Sequence, residues 1–191
     1  MAEERSLVLI KPDGVQRGLV GEILSRFERC GLKVVGMKMV YPDEELAGNH
    51  YIADEDWLNT VGEKAKKSYE KRGVKVDKEN REIGLEIRGQ LIEYLKMSPV
   101  VAFVLEGHNA VAHIRKLVGA TSPGDAAPGT IRGDYTFDSY ALADKNKRPI
   151  QNLIHASGEP EEAEREIKIW FNDKDIHDWQ RVDEALLYRT G

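Results

Sequence analysis

The sequence predicts an α+β fold in which helices cover one face of an antiparallel sheet. The first observation is the order of the apolar segments: strand, helix, strand, an interruption, and then strand, helix, strand again. That order is the βαββαβ pattern of a ferredoxin-like sandwich. The second observation is the length, because 191 residues suffice for one domain that buries its own core. We therefore expect a single domain over residues 1–191, and the sole cysteine, Cys30, has no partner within the chain.

The first strand–helix–strand unit lies near the N-terminus. Residues 6–10 are a short apolar run that ends at Lys-Pro-Asp-Gly, which is typical of a buried strand followed by a turn. Residues 18–30 carry apolar side chains at helical spacing, and Gly31 follows as a common helix stop. Residues 33–40 alternate loosely between apolar and polar side chains, which predicts the second strand.

The second unit begins with the strongest strand pattern of the chain. Residues 99–105 are apolar on both faces, which favours a central strand. Asn109 is a candidate N-cap for a helix that ends at Gly119. A last short strand is expected at residues 150–154. A last helix is expected at residues 159–171, whose acidic first turn suits the positive end of the helix dipole.

An insertion of about residues 52–86 separates the two units. Trp57 and Tyr69 lie on one helical stripe, which predicts an inserted helical hairpin. Residues 63–82 have more basic than acidic side chains, which indicates either a solvated face of mixed charge or a basic lip near a polyanion site. A second enlarged segment covers about residues 135–151.

Composition excludes several classes of function. The chain has 28 basic and 33 acidic residues, so as a whole it does not fit an electrostatic nucleic-acid binder. It has no apolar run of about 18 residues that would span a membrane. The charged N-terminus does not resemble a signal peptide, and we expect a cytoplasmic protein. Any polyanion site must therefore be a local cluster of basic residues.

A glycine-rich segment at residues 115–134 could form such a cluster. It combines glycines, prolines and hydroxyls with two arginines, Arg115 and Arg132. Arginine gives bidentate hydrogen bonds to phosphate, and glycine lets backbone amides approach an anion. A plain structural loop is the alternative interpretation. The chain contains neither a Walker-type nor a Rossmann-type phosphate motif.

His155 is the candidate nucleophile. It follows a short strand and precedes a helix N-terminus, which is a ready site for an anion. A neutral imidazole is a competent nucleophile towards phosphorus, and Glu166 in the following helix could orient the ring. A purely structural histidine is the alternative. The other four histidines lack metal-ligand spacing, so the sequence predicts no metal site formed by protein residues.

Five segments resemble the nucleoside diphosphate kinases, in the same order and over most of the chain. They are Lys11-Pro-Asp-Gly-Val-Gln-Arg-Gly-Leu-Val-Gly-Glu-Ile, Pro99-Val-Val-Ala with Glu106-Gly107, Arg115-x-x-x-Gly-Ala-Thr121-x-Pro, Pro128-Gly-Thr-Ile-Arg-Gly-Asp134 and Asn152-x-x-His155. Each segment alone is a weak signal, and together they are highly specific.

The resemblance implies a ping-pong enzyme that moves the γ-phosphoryl group of a nucleoside triphosphate to a nucleoside diphosphate. His155 would be phosphorylated and Glu166 would orient it. The phosphates and the sugar would be held by Lys11, Tyr51, Arg115, Thr121, Arg132 and Asn152. The family uses Mg²⁺ that bridges the phosphates, and its members assemble as hexamers or tetramers, so we expect a homo-oligomer.

Two departures from the family pattern matter. Ala156 and Gly158 stand where the family has glycine and aspartate, so Ser157 is expected to cap the next helix alone. Ile87 stands where the family stacks a phenylalanine on the base, and Trp57 or Tyr69 is an alternative base partner. A catalytically silent nucleotide-binding module is the second hypothesis, and a DNA-processing role is the third.

Overall fold

A four-stranded antiparallel sheet forms the centre of the computed structural model, which describes residues 4–188. Its strands are β1 (Glu4–Ile10), β2 (Lys33–Val40), β3 (Val100–Gly107) and β4 (Ile154–Ala156), in the order β2-β3-β1-β4. The strand β3 is buried along its whole length and pairs with both β1 and β2. The predicted fold class and the interior position of this strand are confirmed.

The helices fill the intervals between these strands. In order they are α1 (Pro12–Gln16), α2 (Val20–Arg29), α3 (Glu44–His50), α4 (Glu55–Lys71), α5 (Asn80–Lys96), α6 (Ala110–Val118), α7 (Ile131–Tyr135), α8 (Tyr140–Lys145), α9 (Pro160–Trp170) and α10 (Glu184–Leu187). Single 3₁₀ turns lie at Pro123–Asp125 and Asp173–Asp175. Within residues 4–188, no helix is long and apolar enough to cross a membrane.

Both faces of the sheet are covered by helices. On β1, Val8 and Ile10 join the apolar cluster of α2 and α6 on one face. Leu7 and Leu9 join a second cluster with α3, α5 and α9 on the other. The two crossover helices α2 and α6 cover one face of the sheet, as predicted. The opposite face is also apolar, because β1 and β3 bury side chains on both sides, and α3, α5 and α9 cover it.

Asn109 precedes α6 as predicted, but it does not cap the helix with its side chain. Its φ of 49° places it in the left-handed region, which asparagine tolerates better than most residues. The predicted N-cap position is confirmed, although the side chain makes no capping hydrogen bond.

The predicted insertion forms an antiparallel hairpin of α4 and α5. A Cβ atom on Gly62 would lie 1.8 Å from the backbone oxygen of Asn80, and one on Gly84 would lie 2.2 Å from that of Leu58. Only glycine permits this approach of the two helix backbones. The second helix continues to Lys96, beyond the predicted end of the insertion, and its last turns lie in the core.

The end of the hairpin contacts the second enlarged segment. The guanidinium of Arg72, which follows α4, lies 2.6 Å from the carboxylate of Asp144 on α8. Other charges of the hairpin pair locally, as between Lys67 and Glu63 at 2.5 Å. These exposed pairs favour the solvated face of mixed charge over the basic lip.

Candidate active site

The pairing of β1 with β4 brings segments that are far apart in the sequence together at the site. His155 on β4 pairs with Leu9 on β1. Lys11 follows β1 directly, and its backbone N–H donates to the carbonyl of Leu153 at 2.8 Å. The strand register thus places the predicted lysine beside the segment that carries the predicted nucleophile.

Residues 152–154 form a turn where the sequence predicted strand. The N–H of Ile154 donates to the carbonyl of Asn152 at 2.8 Å, and the residue between them, Leu153, has a φ of 67°. This is the hydrogen-bond pattern and the φ sign of a classic γ-turn, which is rare and strained. The last strand therefore runs over Ile154–Ala156 and not over residues 150–154.

The imidazole of His155 is hydrogen-bonded to Glu166. The Nε2 atom of His155 lies 2.8 Å from Oε2 of Glu166, and the hydroxyl of Ser157 donates to the same oxygen at 2.7 Å. Glu166 is almost fully buried on α9. Burial alone would raise its pKa, but the charge and hydrogen bond of His155, together with His50 and Ser157, lower it to about 2. The carboxylate is therefore ionised at neutral pH.

An ionised Glu166 fixes the tautomer of the neutral histidine. The carboxylate accepts the Nε2–H of His155, so the lone pair lies on Nδ1. Among residues 4–188, no hydrogen bond is made to that Nδ1. The arrangement provides a nitrogen lone pair that can attack an electrophile.

Contrary to the prediction from the sequence, Ser157 does not cap α9. Its hydroxyl is used by Glu166, and α9 begins after Glu159 without a side-chain cap. Glu162 in the first turn instead accepts the backbone N–H of Gly158. This bond ties the segment before the helix to its first turn, without a side-chain cap on the helix donors.

His50 is a site residue that the sequence analysis missed. It is buried at the end of α3, and its ring lies edge-on to that of His155, with 4.5 Å between the centroids. Trp170 donates its indole N–H to Nδ1 of His50 at 3.4 Å. Burial, reinforced by the nearby His155, lowers the pKa of His50 well below its ordinary value of 6.5. Its position next to the predicted Tyr51 was the one available signal.

His50, His155 and Glu166 bring potential metal-ligand atoms within 4.8 Å of one another. Each of these side chains already makes a hydrogen bond or ring contact with the others or with Ser157 and Trp170. The cluster is therefore better explained as a hydrogen-bonded positioning network than as a metal centre.

Lys11 and Asn152 form a chain of hydrogen bonds to the glycine-rich loop. The ammonium of Lys11 donates to Oδ1 of Asn152 at 3.0 Å, and Nδ2 of Asn152 donates to the carbonyl of Thr121 at 2.9 Å. Burial lowers the pKa of Lys11 to about 7, and nearby Arg132 acts in the same direction while Asp13 opposes it. A polyanion bound here would favour the charged form.

Arg132 ties the glycine-rich loop to the segment that carries His155. Its guanidinium donates to the backbone carbonyls of Gly119, Ala120, Asn152 and Ile154, at 3.1, 3.2, 3.1 and 2.6 Å. One N–H of its Nη2 remains for another acceptor. Burial, and then the nearby charge of Arg115, lowers the pKa of Arg132 to about 10. The Arg115 and Thr121 side chains are exposed at the rim of this cluster.

Tyr51 and Ile87 belong to the wall formed by α3 and α5. The hydroxyl of Tyr51 is buried, and it has no hydrogen-bond partner within the described part of the chain. Arg88 on α5 donates to the backbone carbonyl of Tyr51 at 2.5 Å. The adjacent Ile87 is half-buried and lies two turns before Tyr94, on the same helix face and about 10 Å along the axis. Its contact with a base stays a prediction.

The sequence profile of the nucleoside diphosphate kinase family matches residues 4–60 and 79–176. A nucleoside diphosphate kinase from Pyrobaculum aerophilum is 46% identical over 181 residues, which are 92% of this chain and 99% of that protein. The crystal structure of an NDP kinase from the same organism superimposes with a TM-score of 0.90, at 44% identity, over 93% of this chain and 100% of that chain.

A third comparison is with the nucleoside diphosphate kinase of Borrelia burgdorferi, described as a transition-state mimic with bound vanadate and ADP. It has a TM-score of 0.78 at 39% identity and covers 96% of each chain. Family profile, relatives and solved structures agree with the geometry of the site, and the chain belongs to the nucleoside diphosphate kinase family.

Proposed function

We propose that this chain transfers the γ-phosphoryl group of a nucleoside triphosphate to a nucleoside diphosphate through a phosphorylated His155. The observation that carries the proposal is the 2.8 Å hydrogen bond between Nε2 of His155 and Glu166. It leaves the Nδ1 lone pair available, next to the turn that Lys11 and Arg132 bind through the carbonyls of Leu153 and Ile154. A nucleophile with a second group that orients it is the expected pattern for covalent catalysis.

In the first half-reaction, the Nδ1 lone pair of His155 attacks the γ-phosphorus. The Nδ1–P bond forms as the bond from phosphorus to the β,γ-bridging oxygen breaks, and the electron pair leaves with the nucleoside diphosphate. The Nε2 proton stays on the ring, which becomes cationic. The ionised carboxylate of Glu166 compensates that charge at 2.8 Å. A second nucleoside diphosphate reverses the step and leaves as the triphosphate.

We expect six residues on and around this turn to hold the phosphates and ribose. These are Lys11, Tyr51, Arg115, Thr121, Arg132 and Asn152. A loose phosphoryl-transfer transition state needs in-line positioning and compensation of charge on the equatorial oxygens. One pair of unit charges about 4 Å apart contributes roughly 4 kcal/mol at an effective dielectric constant of about 20.

Mg²⁺ fits this site through the nucleotide rather than through the protein. The residues proposed to face the phosphates include no carboxylate, which is the side chain that usually binds Mg²⁺ in proteins. The phosphate oxygens of the nucleotide and water would therefore supply its ligands. When bound, the ion neutralises part of the phosphate charge.

Ile87 is proposed to contact the base at the outer edge of the site, in place of an aromatic residue. Its support is its place on the α5 face that also carries Tyr94. An aliphatic side chain would hold any base through apolar contact without selecting one. Replacement of Ile87 by Ala should raise KM for purine and pyrimidine nucleotides alike, and unchanged KM values would exclude the contact.

A catalytically silent nucleotide-binding module is the second candidate, and the site does not favour it. Such a module needs cationic groups for phosphate but has no use for a buried carboxylate that orients a histidine. In this chain Glu166 is buried and carries both that bond and a second one to Ser157.

Incubation with γ-labelled ATP tests the proposal. The protein should acquire a label that is lost in acid and passes to added nucleoside diphosphate. His155→Ala should abolish the label, whereas His108→Ala should retain it because His108 lies in the turn before α6, away from the site. An acid-stable label, or labelling of His155→Ala, would contradict the mechanism, and no labelling of the wild type would favour the silent module.

We also propose that the protein assembles as a homo-oligomer and lies in the cytoplasm. Met37 and Met39 on the outer strand β2, and Tyr41 directly after it, are 58%, 63% and 65% exposed and alternate with other residues, which supports a homo-oligomer such as a hexamer or tetramer. Sedimentation should give a multiple of 21.6 kDa, and a monomer at micromolar concentration would contradict it. A cytoplasmic location is consistent with the free thiol of Cys30.

A further inference from the structure

The γ-turn at Leu153 is strained, and its neighbours determine its shape. A non-glycine residue with a φ of 67° is costly and persists only where surrounding groups enforce it. The carbonyl of Leu153 accepts from the backbone of Lys11 at 2.8 Å. Its N–H donates to Oδ2 of Asp13 at 3.1 Å. Both backbone polar groups of the strained residue are thus held by the segment that follows β1.

Asp13 is in turn held by Tyr94. The phenol of Tyr94 donates to Oδ1 of Asp13 at 2.5 Å, so each carboxylate oxygen has one specific partner. Both side chains are buried, at 7% and 4% exposure. The ring of Tyr94 also lies 5.3 Å from the ammonium of Lys11. The hydroxyl therefore lies at the start of a chain of contacts that ends at the turn.

The turn sets the positions of two groups that act on the nucleotide. Asn152 precedes Leu153 and binds Lys11 and the glycine-rich loop, while His155 follows two residues later. A change in the φ of Leu153 would rotate these two side chains relative to each other. Phosphoryl transfer depends strongly on such relative placement, because reacting atoms must be aligned before the step.

We propose that Tyr94 and Asp13 are positioning residues, which hold the Leu153 turn so that His155 is aligned with the phosphate bound by Lys11 and Asn152. The proposal rests on the proposed function of His155. Neither residue reaches the reacting atoms in this arrangement. Their effect is on the geometry of the turn, and we expect it in the rate of histidine phosphorylation more than in nucleotide affinity.

Tyr94→Phe is the cleanest variant, since it removes one hydroxyl and leaves the ring against Lys11. Asp13→Asn is less clean, because the negative charge of Asp13 also raises the pKa values of Lys11 and Arg132. The matched control is Tyr135→Phe, which removes a tyrosine hydroxyl bonded to Glu22 and Arg26, away from the turn.

Rapid-quench measurement of His155 phosphorylation at saturating ATP is the first readout. Loss of one charge-assisted hydrogen bond should slow the step about tenfold in Tyr94→Phe, with the Kd for ADP changed less than about threefold. Tyr135→Phe should match the wild type. A rate within twofold of wild type, or a loss that resides wholly in Kd, would overturn the proposal.

Amide hydrogen exchange of Leu153 is the second readout and needs no activity. Its exchange should speed up about tenfold in Tyr94→Phe and stay unchanged in Tyr135→Phe. Unchanged exchange in Tyr94→Phe would overturn the proposal even if the rate fell. Failure of the proposed function is recognised separately, because the wild type would then form no acid-labile label on His155.

Discussion

Replacement of Lys11 by methionine should stabilise the fold while it weakens nucleotide binding. Burial lowers the pKa of Lys11 from its ordinary 10.5 to about 7. At about 1.36 kcal/mol per pKa unit, holding the charged lysine in the nucleotide-free site costs about 4 to 5 kcal/mol. The variant loses the bond to Asn152 and leaves that amide oxygen without its donor, which costs about 1 to 3 kcal/mol. The expected net gain near pH 7 is about 1 to 4 kcal/mol.

The pH dependence of this gain has a definite sign. Between pH 7 and 10.5 the unfolded chain keeps the Lys11 proton and the folded chain loses it, so this residue makes the wild-type stability rise with pH. The methionine variant lacks this dependence. The cost of the buried charge falls by about half between pH 7 and pH 9, so the advantage of the variant should be largest at pH 7 or below and should nearly vanish at pH 9.

Denaturant unfolding of both proteins at pH 7 and pH 9, at one protomer concentration, measures the difference. Lys33→Met is the matched control. Lys33 is also buried, but it lies 2.8 Å from Glu106 and 3.2 Å from Glu184, so its removal should destabilise the fold. Lower stability of Lys11→Met than of the wild type at pH 7 would refute the predicted cost of the buried Lys11 charge. A stability difference that does not change with pH would refute it as well.

Four further outcomes are expected. Glu166→Gln should slow phosphorylation of His155 at least about tenfold because it no longer fixes the tautomer; an unchanged rate in rapid quench would contradict this. Because the pKa of Glu166 is lowered to about 2, its carboxylate stabilises the fold above pH 4.5. Acid unfolding should show that the wild type loses this contribution as the pH falls towards about 2, and that Glu166→Gln lacks it. Gly84→Ala should lower Tm through its clash with the backbone of α4, whereas Gly89→Ala on the same helix should raise stability by up to about 1 kcal/mol, and equal effects would refute the close contact. Arg132→Lys should keep the charge, lose most of the carbonyl bonds and lower both Tm and kcat/KM; a loss of kcat/KM with unchanged Tm would show that the carbonyl bonds contribute little to stability.

The elements that the sequence predicted well are those with a local signal. The apolar run of β3 and the helical spacing around Ile23 and Phe27 identify their elements from neighbouring residues alone. The motif residues Lys11, Asn152 and His155 were predicted from resemblance, and the structure brings them together through the pairing of β1 with β4. Their roles in catalysis stay proposals.

What the sequence could not predict depends on contacts between distant residues. The bond between Tyr94 and Asp13 joins positions 81 residues apart, and no spacing rule connects them. Helices on the second face of the sheet are missed for the same reason, since apolar character does not say which helix covers it. The last strand was misplaced because the hydrophobic pattern at 150–154 hides the strained φ of Leu153.

The hydrogen bond from His155 to Glu166 determines whether the histidine exchanges a proton with solvent during the reaction. If the Nε2 proton stays on the ring throughout, the histidine neither takes a proton from water nor releases one in either half-reaction. Phosphorylation of His155 by the donor and its dephosphorylation by the acceptor are then the same step in opposite directions. The carboxylate of Glu166 is the counter-ion in both. Within this mechanism the concentrations of the nucleotides determine the direction of transfer. No proton exchange with solvent is needed between phosphorylation by the donor and transfer to the acceptor.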